Sequence, residues 1–124
     1  MALPPRGRYH GANQGGTVKP SDVLEAAIPV IRERGWWGGE LKGPEGQVCL
    51  LGACWVALGQ EPPWVDEYPS PQEVFSLKRV WRQVVGGSPT VWNDDLWGHP
   101  GHDPETDLIP HLREVIEMLK RAGH

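Results

Sequence analysis

The chain has 124 residues, a formal net charge of −4 at pH 7 and a hydrophobic fraction of 39%. This length is typical of one domain with its own core, and the longest apolar stretch, about ten residues, is too short for a membrane-spanning helix. The sequence contains 16 Gly, 13 Pro and seven Trp, so we expect many loops and a core that relies on large tryptophan rings.

Charge is distributed unevenly along the chain. Residues 1–21 contain Arg6, Arg8 and Lys19 but no acidic residue, so the remainder is more acidic than the whole. We expect residues 1–20 to form a Gly/Pro-rich basic arm and residues 21–124 to form one domain. Such an arm could contact an acidic partner or nucleic acid, although three cations are few for nucleic-acid binding.

The first periodic segment, Ser21–Arg34, predicts a helix with Ser21 as its N-cap and Gly35 at its end. Pro29 conflicts with a regular helix, because an interior proline removes a hydrogen bond at a cost of about 3 kcal/mol. We therefore expect a kinked helix, or two short helices that meet at Pro29.

The segment Val48–Leu58 is apolar on all sides, which is typical of a buried helix. A buried strand is the alternative, but the length and the lack of strict alternation favour the helix. Cys49 and Cys54 would then lie about 8–9 Å apart, beyond the reach of a disulfide. Reduced thiols and the lack of an apolar signal segment predict a cytoplasmic protein.

A third helix is predicted from a capping box, with Ser70 as the N-cap, Pro71 as the first helical residue and Glu73 as the reciprocal partner. An apolar stripe follows, and Gly86 ends the helix. The opposite face carries three cations: Lys78, Arg79 and Arg82. Such a patch is most often the solvated face of an amphipathic helix.

Residues 86–105 are expected to form a loop in which Trp92–Asp94 makes an anchored turn. The last helix could begin near Thr106 or Pro110 and run to Ala122, and the later start is favoured because proline is tolerated in a first turn. These elements predict an all-α fold of about four helices around a central buried apolar helix, with long Gly/Pro/Trp-rich loops.

Two patterns could carry chemistry. Leu51-Gly-Ala-Cys54-Trp resembles, over four positions, the cysteine segment of papain-like proteases. A small cysteine hydrolase would use Cys49 or Cys54 as nucleophile with a downstream histidine as base, and three are candidates: His99, His102 and His111. A cysteine within an apolar run is more often an inert core residue. The segment His99–Asp103 could hold a metal, but we expect a polar surface loop there, with no metal or cofactor.

Three motifs occur in a fixed order before a closing amphipathic helix: Arg34-Gly-Trp36, Cys49-x-x-Gly-Ala53 and Trp92-Asn-Asp94. In this order the chain resembles an uncharacterised family of small actinobacterial and bacteriophage proteins, over roughly residues 22–120. The family's cysteine position matches Cys49, not Cys54. This chain departs from the family pattern at Pro29 and in the additional residues that follow Trp92-Asn-Asp94.

The resemblance implies no activity, and a phage setting would imply a small accessory protein that binds a host or phage component. No set of residues supplies the nucleophile, base and orienting group that an enzyme needs. We therefore expect a non-enzymatic protein that binds another protein. The expected contacts are Arg6, Arg8, Trp36, Trp37, Trp92, Asn93 and Asp94. The alternatives are the cysteine hydrolase and a nucleic-acid-binding accessory protein that uses the arm and the Lys78–Arg82 face.

Overall fold

The computed structural model describes residues 18–65, 70–98 and 102–124. These residues form five α-helices and one π-helical turn: α1 Pro20–Arg34, α2 Leu50–Ala57, α3 Gln72–Val84, α4 Pro89–Trp97, the π-helical turn Pro104–Leu108, and α5 Ile109–Arg121. They contain no β-strand, only isolated bridges from Val48 to Trp36 and to Lys42. The predicted all-α class is confirmed. Within these ranges, no helix has both the length and the apolarity that crossing a membrane requires.

Helix α1 is continuous through Pro29, so the alternative of two short helices is wrong. Pro29 lies on the exposed side, and the buried residues on either side of it hold one helix against the core. The predicted N-cap is also wrong: Lys19 is the N-cap, and Pro20 begins the helix because a first-turn residue needs no intrahelical N–H bond. Ser21 instead donates from its backbone N and its Oγ to the carbonyl of His124, at 3.1 and 3.0 Å.

Helix α2 lies in the core, as its uniform apolarity predicted. All of its residues are buried except Val56, which is half-buried, and it packs against α1, α3 and α4. Gly52 allows this packing, because a Cβ there would lie 2.0 Å from the carbonyl oxygen of Leu41. Cys49 precedes the helix as its N-cap, and its Sγ accepts a hydrogen bond from Gly52 N at 3.3 Å.

Helix α3 begins one residue later than predicted, and the capping box is wrong. Pro71 is the N-cap, and its carbonyl accepts the N–H groups of Val74 and Phe75, each at 3.0 Å. A proline side chain has no acceptor, so the helix starts without a side-chain cap, and Glu73 is buried in the first turn. The predicted apolar stripe does face the core at Val74, Leu77 and Trp81.

The expected loop at residues 86–105 is wrong where α4 forms, and α4 is the helix missing from the predicted count. Ser88 is its N-cap, with Oγ accepting from Val91 N at 3.2 Å, and Pro89 lies in its first turn. An apolar period did not reveal α4, because its most buried side chain is a polar one, Asn93. The favoured later start of the last helix agrees with α5, in whose first turn Pro110 lies.

Candidate functional site

The candidate site is built where α4 meets the segment between α1 and α2. Gly35 ends α1 with a φ of 95°, a conformation that favours glycine. The chain then runs extended beside Val48: Trp37 N donates to Val48 O at 2.9 Å, and Val48 N donates to Gly35 O at 3.0 Å. This pairing places Trp36 of the Arg-Gly-Trp motif, and the adjacent Trp37, beside the start of α2.

Asn93 of α4 connects these elements, and its side chain is fully buried. Its Oδ1 accepts from Trp36 Nε1 at 2.8 Å and from Leu50 N at 3.1 Å, while its Nδ2 donates to Trp37 O at 3.0 Å. The orientation of the amide is fixed, because an indole N–H and a backbone N–H only donate and a carbonyl only accepts. We call Trp36, Trp37, Leu50, Asn93 and Asp94 the Asn93 network.

The network also completes the N-terminus of α2. The first N–H groups of a helix have no partner within that helix, and burial makes a missing acceptor costly. Leu50 N, the first of them, is satisfied by Asn93 Oδ1, and Gly52 N is satisfied by Cys49 Sγ. A side chain from another helix thus caps the central helix, which makes Asn93 a structural element of the core.

Asp94 extends the network to the turn that follows Trp37. Its Oδ1 accepts from Gly39 N at 2.9 Å and from Asn93 Nδ2 at 3.2 Å. The neighbouring Gly38 packs against Trp97, where a Cβ would lie 2.6 Å from the indole ring. Asp94 therefore holds a turn that lies close to α4, and this close approach requires a glycine at position 38.

Aromatic rings cover the network. Trp97 donates from Nε1 to Trp36 O at 3.3 Å, and its ring lies 5.4 Å from that of Trp37 and is stacked at 4.2 Å on His102. Trp92 is half-buried and packs edge-on against Trp81 in α3, with ring centroids 5.2 Å apart. These rings are mainly packing elements.

The structure therefore brings together five of the residues predicted to bind a partner: Trp36, Trp37, Trp92, Asn93 and Asp94. Trp36 and Asn93 are buried, and their polar atoms bond to other parts of the chain. Arg6 and Arg8 lie outside the described residues. The binding role of all seven stays a prediction.

A sequence model of a family of unknown function, DUF6197, matches residues 16–124. The chain belongs to the DUF6197 family. This match confirms the resemblance at the level of a family of unknown function and includes every residue of the Asn93 network. No curated protein and no solved structure matches the chain.

Both thiols of this DUF6197 protein are in the core. Cys49 is 2% exposed and Cys54 is fully buried, and burial, together with the nearby Cys49, raises the pKa of the Cys54 thiol. Of the candidate bases, His102 stacks on Trp97, His111 is exposed beside Glu114, and His99 lies outside the described residues. In the described part of the chain, no group of His, Cys, Asp and Glu is placed to hold a metal ion.

A second surface lies on the outward side of α3. A groove of about 360 Å³ is lined by Phe75, Lys78, Arg79 and Arg82, which we call the α3 groove. The three cations are those of the basic patch predicted from the sequence, whereas Phe75 was not among the predicted residues. The spacing of Phe75 could have revealed it. Phe75 is three, four and seven residues before the three cations, which places all four residues on one helical face.

Proposed function

We propose that this DUF6197 protein is a small non-enzymatic interaction protein that binds a partner protein through the α3 groove. In the phage setting that the resemblance implies, the partner is a host or phage protein. The observation that carries the proposal is Phe75, a large aromatic residue that is 49% exposed among cations on a regular helix. Aromatic residues and arginines are enriched where proteins bind one another.

The Asn93 network supports this choice of surface. Trp36 and Asn93 make their polar contacts inside the chain, so a partner could reach them only by breaking the cap of α2. The side chains of Phe75, Arg79 and Arg82 face outwards from a helix whose other face is in the core. A partner can therefore bind them without any rearrangement of the fold.

The chemistry of the thiols favours this proposal over a cysteine hydrolase. The thiolate is the nucleophile in such enzymes, and reactive cysteines are partly exposed in electropositive surroundings. Cys54 is fully buried and its pKa is raised, and the Sγ of Cys49 accepts a hydrogen bond at the start of α2. Cys54 is therefore not activated for attack on a substrate, and Cys49, at 2% exposure, is out of a substrate's reach.

The balance of charge favours a protein partner over nucleic acid. The chain carries a net charge of −4, which opposes the approach of a long polyanion. The cations of α3 cover one short helical face, whereas nucleic-acid-binding domains usually present a denser basic surface. A short protein segment requires only the local positive charge of the groove.

Affinity capture with matched variants tests the proposal. The tagged full chain is incubated with host lysate and compared with Phe75→Ser and with Arg79→Glu/Arg82→Glu. The controls are Val91→Ser, which changes an exposed apolar residue on α4, and Arg113→Glu/Arg121→Glu, which makes the same charge change on α5. We expect a protein that is enriched by the wild type and both controls but not by either groove variant. Equal enrichment by all five proteins would contradict the proposal.

The basic arm is tested separately with Arg6→Ala/Arg8→Ala in the full chain. If the arm also contacts the partner, this variant should capture less of it than the wild type does, and the difference should shrink as salt rises because salt screens charged contacts. Unchanged capture by this variant would show that the α3 groove binds without the arm.

A further inference from the structure

The outward face of α3 has a defined length and polarity. Phe75, Lys78, Arg79 and Arg82 occupy positions i, i+3, i+4 and i+7, so they form one strip. Seven residues of α-helix rise about 10 Å. The strip therefore presents an aromatic ring at its N-terminal end and guanidinium groups towards its C-terminal end.

The positive charges of Arg79 and Arg82 are not neutralised by the described part of the chain. Arg79 and Arg82 are exposed and pair with no carboxylate among the described residues. The only acid in α3 is Glu73, which is buried. Elsewhere cations do pair with acids: Arg32 with Glu105, Arg34 and Lys42 with Glu61, and Lys120 with Glu25. Within the described residues, Arg79 and Arg82 thus keep an unpaired positive charge on one helix of an acidic chain.

We propose, in an inference that rests on the proposed function, that the α3 groove binds an acidic peptide segment of the partner. The segment has an apolar side chain that packs on Phe75 and carboxylates that pair with Arg79 and Arg82. An extended peptide rises about 3.3 Å per residue, so about three residues separate the apolar side chain from the farthest carboxylate. Arginine suits this role because its planar guanidinium binds a carboxylate through two parallel hydrogen bonds.

The size of the groove supports a peptide as the occupant. A volume of about 360 Å³ accommodates a few side chains, and this is near the lower end of the range for ligand sites. Recognition that combines one apolar contact with paired charges also gives specificity, because each part alone binds weakly. Neither a neutral apolar peptide nor a purely acidic one satisfies both ends of the strip.

Fluorescence anisotropy tests this inference with defined probes. The main probe is a labelled Gly/Ser peptide that contains Leu-Ala-Glu-Glu, and two control peptides replace both Glu by Gln or the Leu by Ser. We expect wild-type protein at low salt to bind the main probe at least about tenfold more tightly than the Gln control. We also expect several-fold tighter binding than to the Ser control, and affinity that falls as salt rises.

Protein variants assign the binding to the strip. Arg79→Glu/Arg82→Glu should weaken binding of the main probe at least about tenfold, and Phe75→Ser should weaken it several-fold. Arg113→Glu/Arg121→Glu should bind like the wild type. Equal binding of the Glu and Gln peptides, or equal loss in both double variants, would overturn the inference. Tighter binding of a single-stranded oligonucleotide of equal charge would overturn it in favour of nucleic acid.

The two experiments separate the two proposals. If no peptide binds but the groove variants still lose the captured protein, the acidic segment is wrong and the interaction function stands. If the peptide binds as expected but capture is equal for all variants, binding of a cellular partner through the groove is wrong, although the chemistry of the groove is as inferred.

Discussion

Replacement of Asn93 by alanine tests the role that the structure gives the Asn93 network. The change removes the acceptor of Trp36 Nε1 and of Leu50 N, two hydrogen bonds of 2.8 and 3.1 Å in buried surroundings. It also removes the donor to Trp37 O. The fold has no other described acceptor bonded to these two N–H groups, so both become unsatisfied.

The expected cost follows from these contacts. Each buried polar group left without a partner costs about 1–3 kcal/mol, so the two donors alone give about 2–6 kcal/mol. Local relaxation lowers such values, and we expect a loss of about 3 kcal/mol in the free energy of unfolding. That is a large part of the about 5–15 kcal/mol that stabilises a typical domain.

Urea denaturation followed by circular dichroism measures this loss. Asp95→Ala is the matched control, because Asp95 is the exposed second neighbour on the same helix and its loss should change stability by less than about 0.5 kcal/mol. Trp36→Phe removes one donor. In a double-mutant cycle it should couple to Asn93→Ala by about 1 kcal/mol. A loss below about 1 kcal/mol for Asn93→Ala, or zero coupling, would refute the assignment of Asn93 as the cap of α2.

Three further predictions concern packing, charge and thiol reactivity. Gly38→Ala places a Cβ 2.6 Å from the Trp97 ring, so it should destabilise the protein by about 1–3 kcal/mol; an unchanged melting temperature would contradict that packing. The ion pair with Arg34 lowers the pKa of Glu61, so its contribution is complete above the unfolded pKa and is lost as the pH falls through the folded pKa. It is worth less than about 1 kcal/mol at this exposed site; urea midpoints measured on acidification should fall less for Glu61→Gln than for the wild type. Both cysteines should react with iodoacetamide only after denaturant is added, and rapid labelling of the folded protein would show that a thiol is accessible.

The sequence predicted the parts of the fold in which hydrophobic pattern decides the structure. Val48–Leu58 was expected to be buried on all sides because no polar residue interrupts it, and α2 lies there. The stripe on α3 was predicted for the same reason. The helix boundaries were less predictable, because a proline near a helix start can be the N-cap or the first helical residue, as Pro71 and Pro20 show.

Helix α4 shows what a hydrophobic pattern alone cannot reveal. The residue that holds α4 against the core is Asn93, through the hydrogen bonds of its buried side-chain amide. In a sequence, a polar residue of this kind normally indicates a surface or a turn. Its burial depends on partners that are 57 and 43 residues away in the chain, Trp36 and Leu50. Ser88 and Pro89 did carry a local start signal, an N-cap followed by proline, and could have indicated the helix.

The convergence of the motifs changes where function is to be sought. Arg-Gly-Trp, Cys-x-x-Gly-Ala and Trp-Asn-Asp lie far apart in the sequence, yet Trp36, the start of α2 and Asn93 meet in one hydrogen-bonded network. In this chain the polar atoms of Trp36 and Asn93 are used to join these segments and to cap a buried helix, which is a structural role that needs no ligand. The α3 groove lies outside all three motifs. The residues proposed to bind a partner, Phe75, Arg79 and Arg82, are therefore separate from those that form the Asn93 network, and they are the ones to vary first.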